Sequence, residues 1–197
     1  MRLYCATTNP GKLREFRLAL QDSFDVEPLP GLQSIPVCEE TGATFEENAI
    51  QKALYYSKHC EGLLFVDDSG LEVDALDGDP GVYSARYSGP SATDEENNQL
   101  LLQRMRGIEN RSARFVCVVA IAERGRLLRT FRAAVEGTLT DEPRGSNGFG
   151  YDPLFFYAPF GCTFGEAPLD GKMEVSHRSQ ALRMMRAYLS EITPEIR

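Results

Sequence analysis

The sequence has no excess of basic residues. Its 197 residues include 21 Lys and Arg against 29 Asp and Glu, which leaves a formal net charge of −8 at pH 7. A surface with this balance repels the phosphate backbone of a nucleic acid, so we expect no nucleic-acid partner. A phosphorylated small molecule stays possible as a ligand, because a metal ion or a few cations in a cleft can reverse the field locally.

Paired cysteine motifs and long apolar segments are also missing. The five cysteines are scattered and none forms a C-x-x-C pair, which is typical of reduced thiols in an intracellular protein. The first residues, MRLYCATTNPGK, contain no apolar segment of signal-peptide length. The apolar run at residues 116–122 is far shorter than the about 20 residues that cross a bilayer. We therefore predict a soluble, cytoplasmic protein with no membrane partner.

The residues that are present predict one α/β domain over positions 1–197. The hydrophobic fraction of 42% suffices for a core without disulfides. A short strand at 3–7 and a buried strand at 63–66 alternate with helical patterns in the first half. The segments 113–123 and 127–137, joined by Arg-Gly-Arg, predict a hairpin. Helices that alternate with strands until a hairpin interrupts them indicate a central mixed β-sheet with flanking helices.

Two capping boxes mark predicted helix starts. Thr44 is followed three positions later by Glu47, and Thr93 is followed in the same way by Glu96. In this motif the two side chains bond each other's backbone N–H groups and begin a helix.

The first candidate site is the segment Thr7 to Lys12, with the sequence TTNPGK, at the end of the first predicted strand. Backbone N–H groups at such a strand-to-helix turn attract an anion, and Lys12 adds a full positive charge. The segment is not a Walker A loop, because Ala6 stands in place of the first glycine and Leu13 in place of Ser or Thr. An ordinary turn capped by Asn9 is the alternative interpretation.

The second candidate is the acidic pair Asp67 and Asp68 at the end of the strand at 63–66. Buried carboxylates need compensation, and Mg²⁺ is typically held by one or two of them together with substrate phosphates. Local turn capping by both aspartates is the alternative. Glu39 and Glu40 could supply a further ligand, although such pairs are usually solvated. Lys52 is a candidate phosphate ligand, and a solvated helix lysine is the alternative.

The third and fourth candidates are richer in aromatic and donor groups. Phe149 lies between two glycines, so its ring could be exposed for stacking on a base; a core position is the alternative. Lys172 and the run Ser176-His177-Arg178 form a dense set of hydrogen-bond donors in a predicted loop, suited to the oxygen acceptors of a purine. A helix start capped by Ser176 is the alternative.

Together and in this order, these segments resemble the inosine triphosphate pyrophosphatase family, house-cleaning enzymes that remove non-standard purine nucleotides. The resemblance extends from residue 7 to residue 178 and is carried by TTNPGK, EETGATFEENAIQKA, FVDDSGLEVDALDGDPGVYSARYSG, SNGFGYDPLFF and K-x-x-x-S-H-R. It implies hydrolysis of ITP, dITP, XTP or dXTP to the monophosphate and pyrophosphate. It also implies Mg²⁺ as cofactor, a homodimer, and two lobes around a substrate cleft.

The resemblance also implies roles for individual residues. Asp68 is the implied catalytic residue, and Asp68 and Glu39 are the implied metal ligands. The implied substrate-binding residues are Thr7, Thr8, Asn9, Pro10, Gly11, Lys12, Lys52, Ser69, Phe149, Gly150, Tyr151, Asp152, Lys172, His177 and Arg178. Two other functions stay open. One is a related enzyme for modified pyrimidine nucleotides. The other is a regulatory nucleotide-binding module, which we would expect to lack Asp68 or a phosphate-facing lysine.

Overall fold

The computed structural model describes residues 1–192, which form seven β-strands, five α-helices and several short 3-10 turns. The strands are β1 (Arg2–Cys5), β2 (Asp25–Pro28), β3 (Leu63–Val73), β4 (Ser112–Glu123), β5 (Arg126–Leu139), β6 (Phe155–Tyr157) and β7 (Cys162–Thr163). The helices are α1 (Pro10–Leu20), α2 (Phe45–Tyr56), α3 (Asp94–Arg104), α4 (Leu169–Val175) and α5 (His177–Ile192). None of these helices is long and apolar enough to cross a membrane.

The seven strands form one mixed sheet in the order β2-β1-β3-β4-β5-β6-β7. Strand β1 pairs in parallel with β2 and β3, whereas β6 pairs antiparallel with β5 and β7. Strands β2 and β7 are the edges, so the sheet is open. The predicted mixed α/β sheet with flanking helices is therefore confirmed.

The hairpin between β4 and β5 turns through two residues. Arg124 and Gly125 both have positive φ, at 49° and 78°. Positive φ at both central positions is the signature of a type I′ turn, whose twist matches that of the flanking strands. The predicted hairpin is thus confirmed, and its turn needs Gly125 more than the charged residues beside it.

Both predicted capping boxes start a helix. Thr44 accepts from Glu47 N at 3.1 Å and opens α2, while Thr93 accepts from Glu96 N at 3.2 Å and opens α3. In each box the glutamate side chain bonds the backbone N–H of the threonine in return. Two of the N–H groups that a helix start leaves without intrahelical partners are therefore satisfied in each case.

The chain forms two compact units, each with its own hydrophobic core. The first unit comprises Met1–Asp68, Cys117–Ala133 and His177–Arg197, the last as far as it is described. Its core joins α1 and α5 to strands β1 to β5; fully buried members include Phe16, Leu20, Phe65, Leu182 and Met185. Phe16 and Phe65 meet edge to face with ring centroids 5.0 Å apart, a favoured geometry for aromatic pairs.

The second unit comprises Ser69–Val116 and Ala134–Ser176. Its core contains Leu101 and Met105 from α3 together with a cluster of phenylalanines. Phe155 lies 4.6 Å from Phe115 and 5.1 Å from Phe164, measured between ring centroids. Tyr151, two residues after Phe149, belongs to the same core, so the loop that carries Phe149 is anchored there.

Three details differ from the sequence predictions. Strand β2 was not predicted, because Asp25, Glu27 and Pro28 are poor strand formers and β2 is held by pairing with β1. Asp67 and Asp68 lie inside β3, which continues to Val73, so they do not cap a turn. The predicted loop from Lys172 to Arg178 is wrong, since Lys172 lies in α4 and Arg178 in α5.

Candidate active site

The acidic pair on β3 is the centre of the candidate site in the first unit. Asp67 and Asp68 are adjacent in a strand, so their side chains point to opposite faces of the sheet. Each carboxylate meets a lysine: Lys12 Nζ lies 2.8 Å from Asp67 Oδ1, and Lys52 Nζ lies 2.7 Å from Asp68 Oδ1. Each aspartate of this strand thus has its own lysine partner.

Lys52 joins Asp68 to a second carboxylate. Its ammonium lies 2.9 Å from Glu40 Oε1 and donates to the main-chain carbonyl of Asp67 at 3.0 Å. The segment with Glu40 is held by α2, because Asn48 Oδ1 accepts from Gly42 N at 2.8 Å. The helix therefore brings Glu40 and Asp68 to one ammonium group.

Asp68 keeps one carboxylate oxygen without a protein partner. The residue is 7% exposed, and its Oδ2 is buried with no hydrogen-bond partner in the described part of the chain. Burial raises the pKa of Asp68 above its ordinary value, although Lys52 opposes the shift. A buried carboxylate oxygen of raised basicity is suited to bind a cation or to take a proton from water.

Asp67 has the opposite electrostatic setting. Burial alone would raise its pKa, but the charges of Lys12, Arg178 and Lys52 hold the pKa of Asp67 well below its usual range. Arg178 Nε lies 3.2 Å from Asp67 Oδ2, and Arg178 NH1 lies 2.6 Å from Glu15 Oε2. The side chains of this arginine and both carboxylates are 2% exposed. Asp67 therefore stays ionised and anchors a buried chain of charges.

The segment Thr7 to Lys12 forms the turn from β1 into α1. Asn9 is the N-cap of α1 and accepts from Lys12 N at 3.0 Å, and Pro10 takes the first helical position. Thr7 Oγ1 accepts from Asn9 N at 3.2 Å. Thr8 is exposed and Gly11 is half-buried. Asn9 thus caps an ordinary strand-to-helix turn, as the alternative interpretation expected. A capped turn can still bind an anion, so the phosphate role stays a prediction.

The residues of the first unit fit a hard divalent cation in part. Asp68 Oδ2 and Glu40 offer carboxylate oxygens, the ligands that Mg²⁺ prefers. Glu39, the predicted second ligand, is exposed, and it is Glu40 that shares Lys52 with Asp68. Within residues 1–192 no three His, Cys, Asp or Glu side chains cluster as a complete metal site. Since Mg²⁺ is commonly held by one or two carboxylates with substrate phosphates, two protein carboxylates suffice.

The second unit holds five of the predicted base-binding residues around the aromatic loop, which we define as residues 146–152; His177 and Arg178 belong to the first unit. Asp152 is the hub: its Oδ2 accepts from Phe149 N at 2.9 Å and from Lys172 Nζ at 2.5 Å. Both ends of this ion pair are buried. The Lys172 ammonium also lies 5.1 Å from the centroid of the Phe149 ring, within the range of a cation–π contact. Phe149 itself is half-buried.

Further contacts fix the backbone of the aromatic loop. Gly148 has φ of 75°, and a Cβ there would collide with Asp152 Oδ2, so glycine is required. Tyr151 is buried and its hydroxyl donates to Ser84 O at 2.8 Å. Gly150 N donates to Asp94 Oδ2 at 2.6 Å, and Asn98 Nδ2 donates to Gly150 O at 3.0 Å.

The remaining predicted residues lie at the junctions between segments. Ser69 follows Asp68 in β3 and is half-buried. His177 is the first residue of α5 and is 4% exposed. Neither position tests the substrate contact that the resemblance implies, so both roles stay predictions.

Sequence reasoning missed several residues that build these groups. Glu15 holds Arg178, while Asp94, Asn98 and Ser84 hold the aromatic loop. The one available signal was the spacing of Asp94 and Asn98, four positions apart in a predicted helix and thus on one face. Their partner is more than fifty positions away, and local spacing cannot identify such a contact.

Fold and site together define an α/β protein with an open mixed sheet, in which an interior strand carries a buried acidic pair held by lysines. Residues 3–188 match the model of the Ham1 family, and the chain belongs to this family. It is 49% identical over 195 residues to a dITP/XTP pyrophosphatase of an Exiguobacterium species, covering 98% of both chains. It is 47% identical over 191 residues to a dITP/XTP pyrophosphatase of Geobacter sulfurreducens, covering 95% of this chain and 96% of the relative.

Solved structures are similar over nearly the whole chain. The Staphylococcus aureus Ham1 protein superposes with a TM-score of 0.87 at 37% identity, covering 98% of this chain and all of the other. A HAM1 protein from Coxiella burnetii gives the same TM-score at 39% identity, covering 97% and 99%. The resemblance inferred from the motifs is therefore confirmed at the level of family and fold.

Proposed function

We propose that this protein hydrolyses non-standard purine nucleoside triphosphates, such as ITP, dITP, XTP and dXTP, to the monophosphate and pyrophosphate. The reaction would keep these nucleotides out of nucleic acids. The observation that carries the proposal is the buried Asp68 Oδ2, which has no partner in the described chain while Lys52 holds the other oxygen. Membership of the Ham1 family and similarity to dITP/XTP pyrophosphatases support it.

In the proposed reaction, water attacks the α-phosphorus and pyrophosphate leaves. Asp68 orients the water or takes its proton, which its raised pKa favours. Lys12 and Lys52 lie beside the acidic pair and stabilise the negative charge of the leaving pyrophosphate. Thr7, Thr8, Asn9, Pro10 and Gly11 place the start of α1 near the phosphates, where the helix dipole favours an anion.

We assign Mg²⁺ to Asp68 and Glu40, with Glu39 as the ligand that the resemblance suggested on the same segment. When bound, the ion neutralises charge on the phosphate oxygens. The orphaned Asp68 Oδ2 and the carboxylate of Glu40 at the same ammonium support this assignment. Mutation would separate the two glutamates: Glu40→Gln should raise the Mg²⁺ concentration needed for half-maximal activity more than Glu39→Gln does.

We assign the purine base to the aromatic loop and its surroundings. Phe149 offers a ring for stacking, and Lys172 is a donor-only group suited to the oxygen at purine position 6. Gly150, Tyr151 and Asp152 hold these two groups. For His177 and Arg178 a base contact rests on the family resemblance alone, since Arg178 is paired with Asp67 and Glu15. Adenine has an amino donor at position 6, so a donor in the protein would lack a partner there, which costs about 1–3 kcal/mol.

Domain organisation, oligomeric state and location in the cell belong to the same proposal. The whole chain acts as one pyrophosphatase domain, it forms a homodimer, and it works in the cytoplasm; each rests on the family resemblance or on composition. Light scattering at micromolar concentration checks the dimer, and a monomeric mass would contradict it.

The decisive experiment is to measure pyrophosphate release from ITP, XTP, GTP and ATP, with Mg²⁺ and with excess EDTA. We expect release from ITP and XTP that requires the metal and exceeds release from ATP. Preference for modified pyrimidine nucleotides would favour the related enzyme instead. Nucleotide binding without release of pyrophosphate would favour the regulatory module, and full activity in EDTA would remove Mg²⁺ from the proposal.

A further inference from the structure

The first two turns of α3 hold Gly150 of the aromatic loop by both of its backbone polar groups. Gly150 N donates to Asp94 Oδ2 at 2.6 Å, and Gly150 O accepts from Asn98 Nδ2 at 3.0 Å. Asp94 is exposed, whereas Asn98 is 7% exposed. Because the two side chains are one helical turn apart, they reach the loop from the same face of α3.

Neither side chain is needed to start the helix. Thr93 and Glu96 already form the capping box of α3, so the N–H groups that it satisfies do not need Asp94. Asparagine is a poor helix former because its amide competes for backbone hydrogen bonds. The amide of Asn98 instead bonds Gly150 O, more than fifty positions away. Both residues are therefore better explained by the loop than by the helix.

The loop needs such external support at Gly150. Gly148 and Gly150 both have positive φ, at 75° and 62°, so the backbone on each side of Phe149 is left-handed and irregular. Asp152 holds the Phe149 N–H, which fixes the backbone at the ring itself. The contacts with α3 fix the residue that follows. Together they set the direction in which the Phe149 side chain leaves the loop.

We propose that Asp94 and Asn98 are positioning residues that hold Phe149 in place for stacking on the purine base. The stacking part of this inference rests on the proposed function. The residues assigned to the chemical step, Asp68, Lys12 and Lys52, belong to the other unit. We call the two hydrogen bonds from Asp94 and Asn98 to Gly150 the clamp. Loss of the clamp should therefore weaken substrate binding and leave turnover almost unchanged.

Four variants test the clamp by steady-state kinetics. Asp94→Ala and Asn98→Ala each remove one contact, while Asp94→Asn keeps an acceptor oxygen for Gly150 N–H. Glu95→Ala is the matched control, because Glu95 is also an exposed first-turn carboxylate of α3 and its side chain faces Gln99 of the same helix. We expect Asp94→Ala to raise KM for ITP by about three- to tenfold, with kcat within about twofold of wild type. Asp94→Asn should restore most of the loss, and Glu95→Ala should match wild type.

A fluorescence readout does not depend on catalysis. The chain contains no tryptophan, so Phe149→Trp introduces a single tryptophan at the loop, which is excited selectively at wavelengths where tyrosine does not absorb. In this background we expect Asp94→Ala to lower the emission anisotropy and increase quenching by acrylamide, whereas Glu95→Ala leaves both unchanged. Unchanged fluorescence and unchanged KM in an enzyme that hydrolyses ITP would overturn the clamp alone. A fluorescence change in a protein that hydrolyses no triphosphate would support the positioning and overturn the stacking together with the proposed function.

Discussion

The two units hold their polar residues by different means. In the first unit, buried carboxylates are compensated by full charges: Lys12 and Arg178 meet Asp67, and Lys52 meets Asp68. In the second unit, one buried ion pair, Lys172 with Asp152, is surrounded by rings and backbone hydrogen bonds. The first arrangement keeps buried charges compensated, and the second fixes the orientation of the Lys172 ammonium and the Phe149 ring. Compensating charges of this kind suit contacts with phosphates, whereas a fixed ring with a fixed donor suits contacts with a flat base.

The largest expected effect comes from Asp68→Asn in the first unit. The change keeps the shape and an acceptor for Lys52 but removes the charge and basicity of the Oδ2 position. We expect kcat for ITP to fall by about 10²–10⁴-fold, while the protein keeps a cooperative melting transition. Pyrophosphate release under saturating ITP measures the change.

Asp67→Asn is the matched control for this prediction. It alters the neighbouring carboxylate, which the structure pairs with Lys12 and Arg178, so we expect a loss of stability larger than that of Asp68→Asn. If turnover of Asp68→Asn stays within about tenfold of wild type, Asp68 is not the catalytic residue.

The next effect is the stability loss on removing Arg178. Its side chain is 2% exposed and lies between Asp67 and Glu15, so Arg178→Ala leaves two buried carboxylates without this cation. Breaking one side of a buried pair costs about 3–5 kcal/mol. The free energy of unfolding in urea should fall by that amount, while the ion pair between Lys12 and Asp67 remains.

Arg183→Ala is the control, because Arg183 lies in the same helix and is exposed. An exposed substitution of this kind usually changes stability by less than about 0.5 kcal/mol. Equal losses for the two variants would show that the buried chain of charges contributes nothing specific.

In the second unit, Lys172→Ala should change the preference for ITP over ATP and leave the contacts with the triphosphate in place. We expect kcat/KM for ITP to fall more than for ATP, so that discrimination drops by about 1–3 kcal/mol, or roughly tenfold to a hundredfold. The reason is that ATP presents an amino donor where ITP presents an oxygen. Paired measurements of kcat/KM for both nucleotides check this.

Lys12→Ala is the comparison variant from the first unit. It should weaken ITP and ATP alike, since both carry the same triphosphate. Melting curves with and without ITP identify the case in which Lys172→Ala disorders the aromatic loop. An ITP-to-ATP preference within about twofold of wild type would show that Lys172 does not read the base.

The sequence was informative where local chemistry decides the structure. Both capping boxes, the hairpin turn at Gly125 and the acidic pair on β3 follow from neighbouring residues, and all of these are present. Strand β2 was missed because its composition disfavours a strand and pairing with β1 determines it. Arg178 and Glu15 meet across 163 positions, and only the folded topology brings them together. Substrate roles required the family resemblance as well.

The smallest expected effect compares the same motif in the two units. Thr44→Ala in α2 and Thr93→Ala in α3 each remove a side chain that accepts from the N–H of the third helical residue. Loss of such a cap costs about 1 kcal/mol. We expect similar decreases in the free energy of unfolding in urea. Only Thr93→Ala should also raise KM for ITP, because the first turn of α3 holds Gly150.

Thr44→Ser and Thr93→Ser separate the cap from other consequences of the change, since serine keeps the accepting hydroxyl and is an equally good N-cap. Both should regain most of the stability, and Thr93→Ser should regain the KM of wild type. If Thr44→Ala raises KM for ITP as much as Thr93→Ala does, the effect comes from lower stability in general. The comparison would then give no support to a special link between the start of α3 and the aromatic loop.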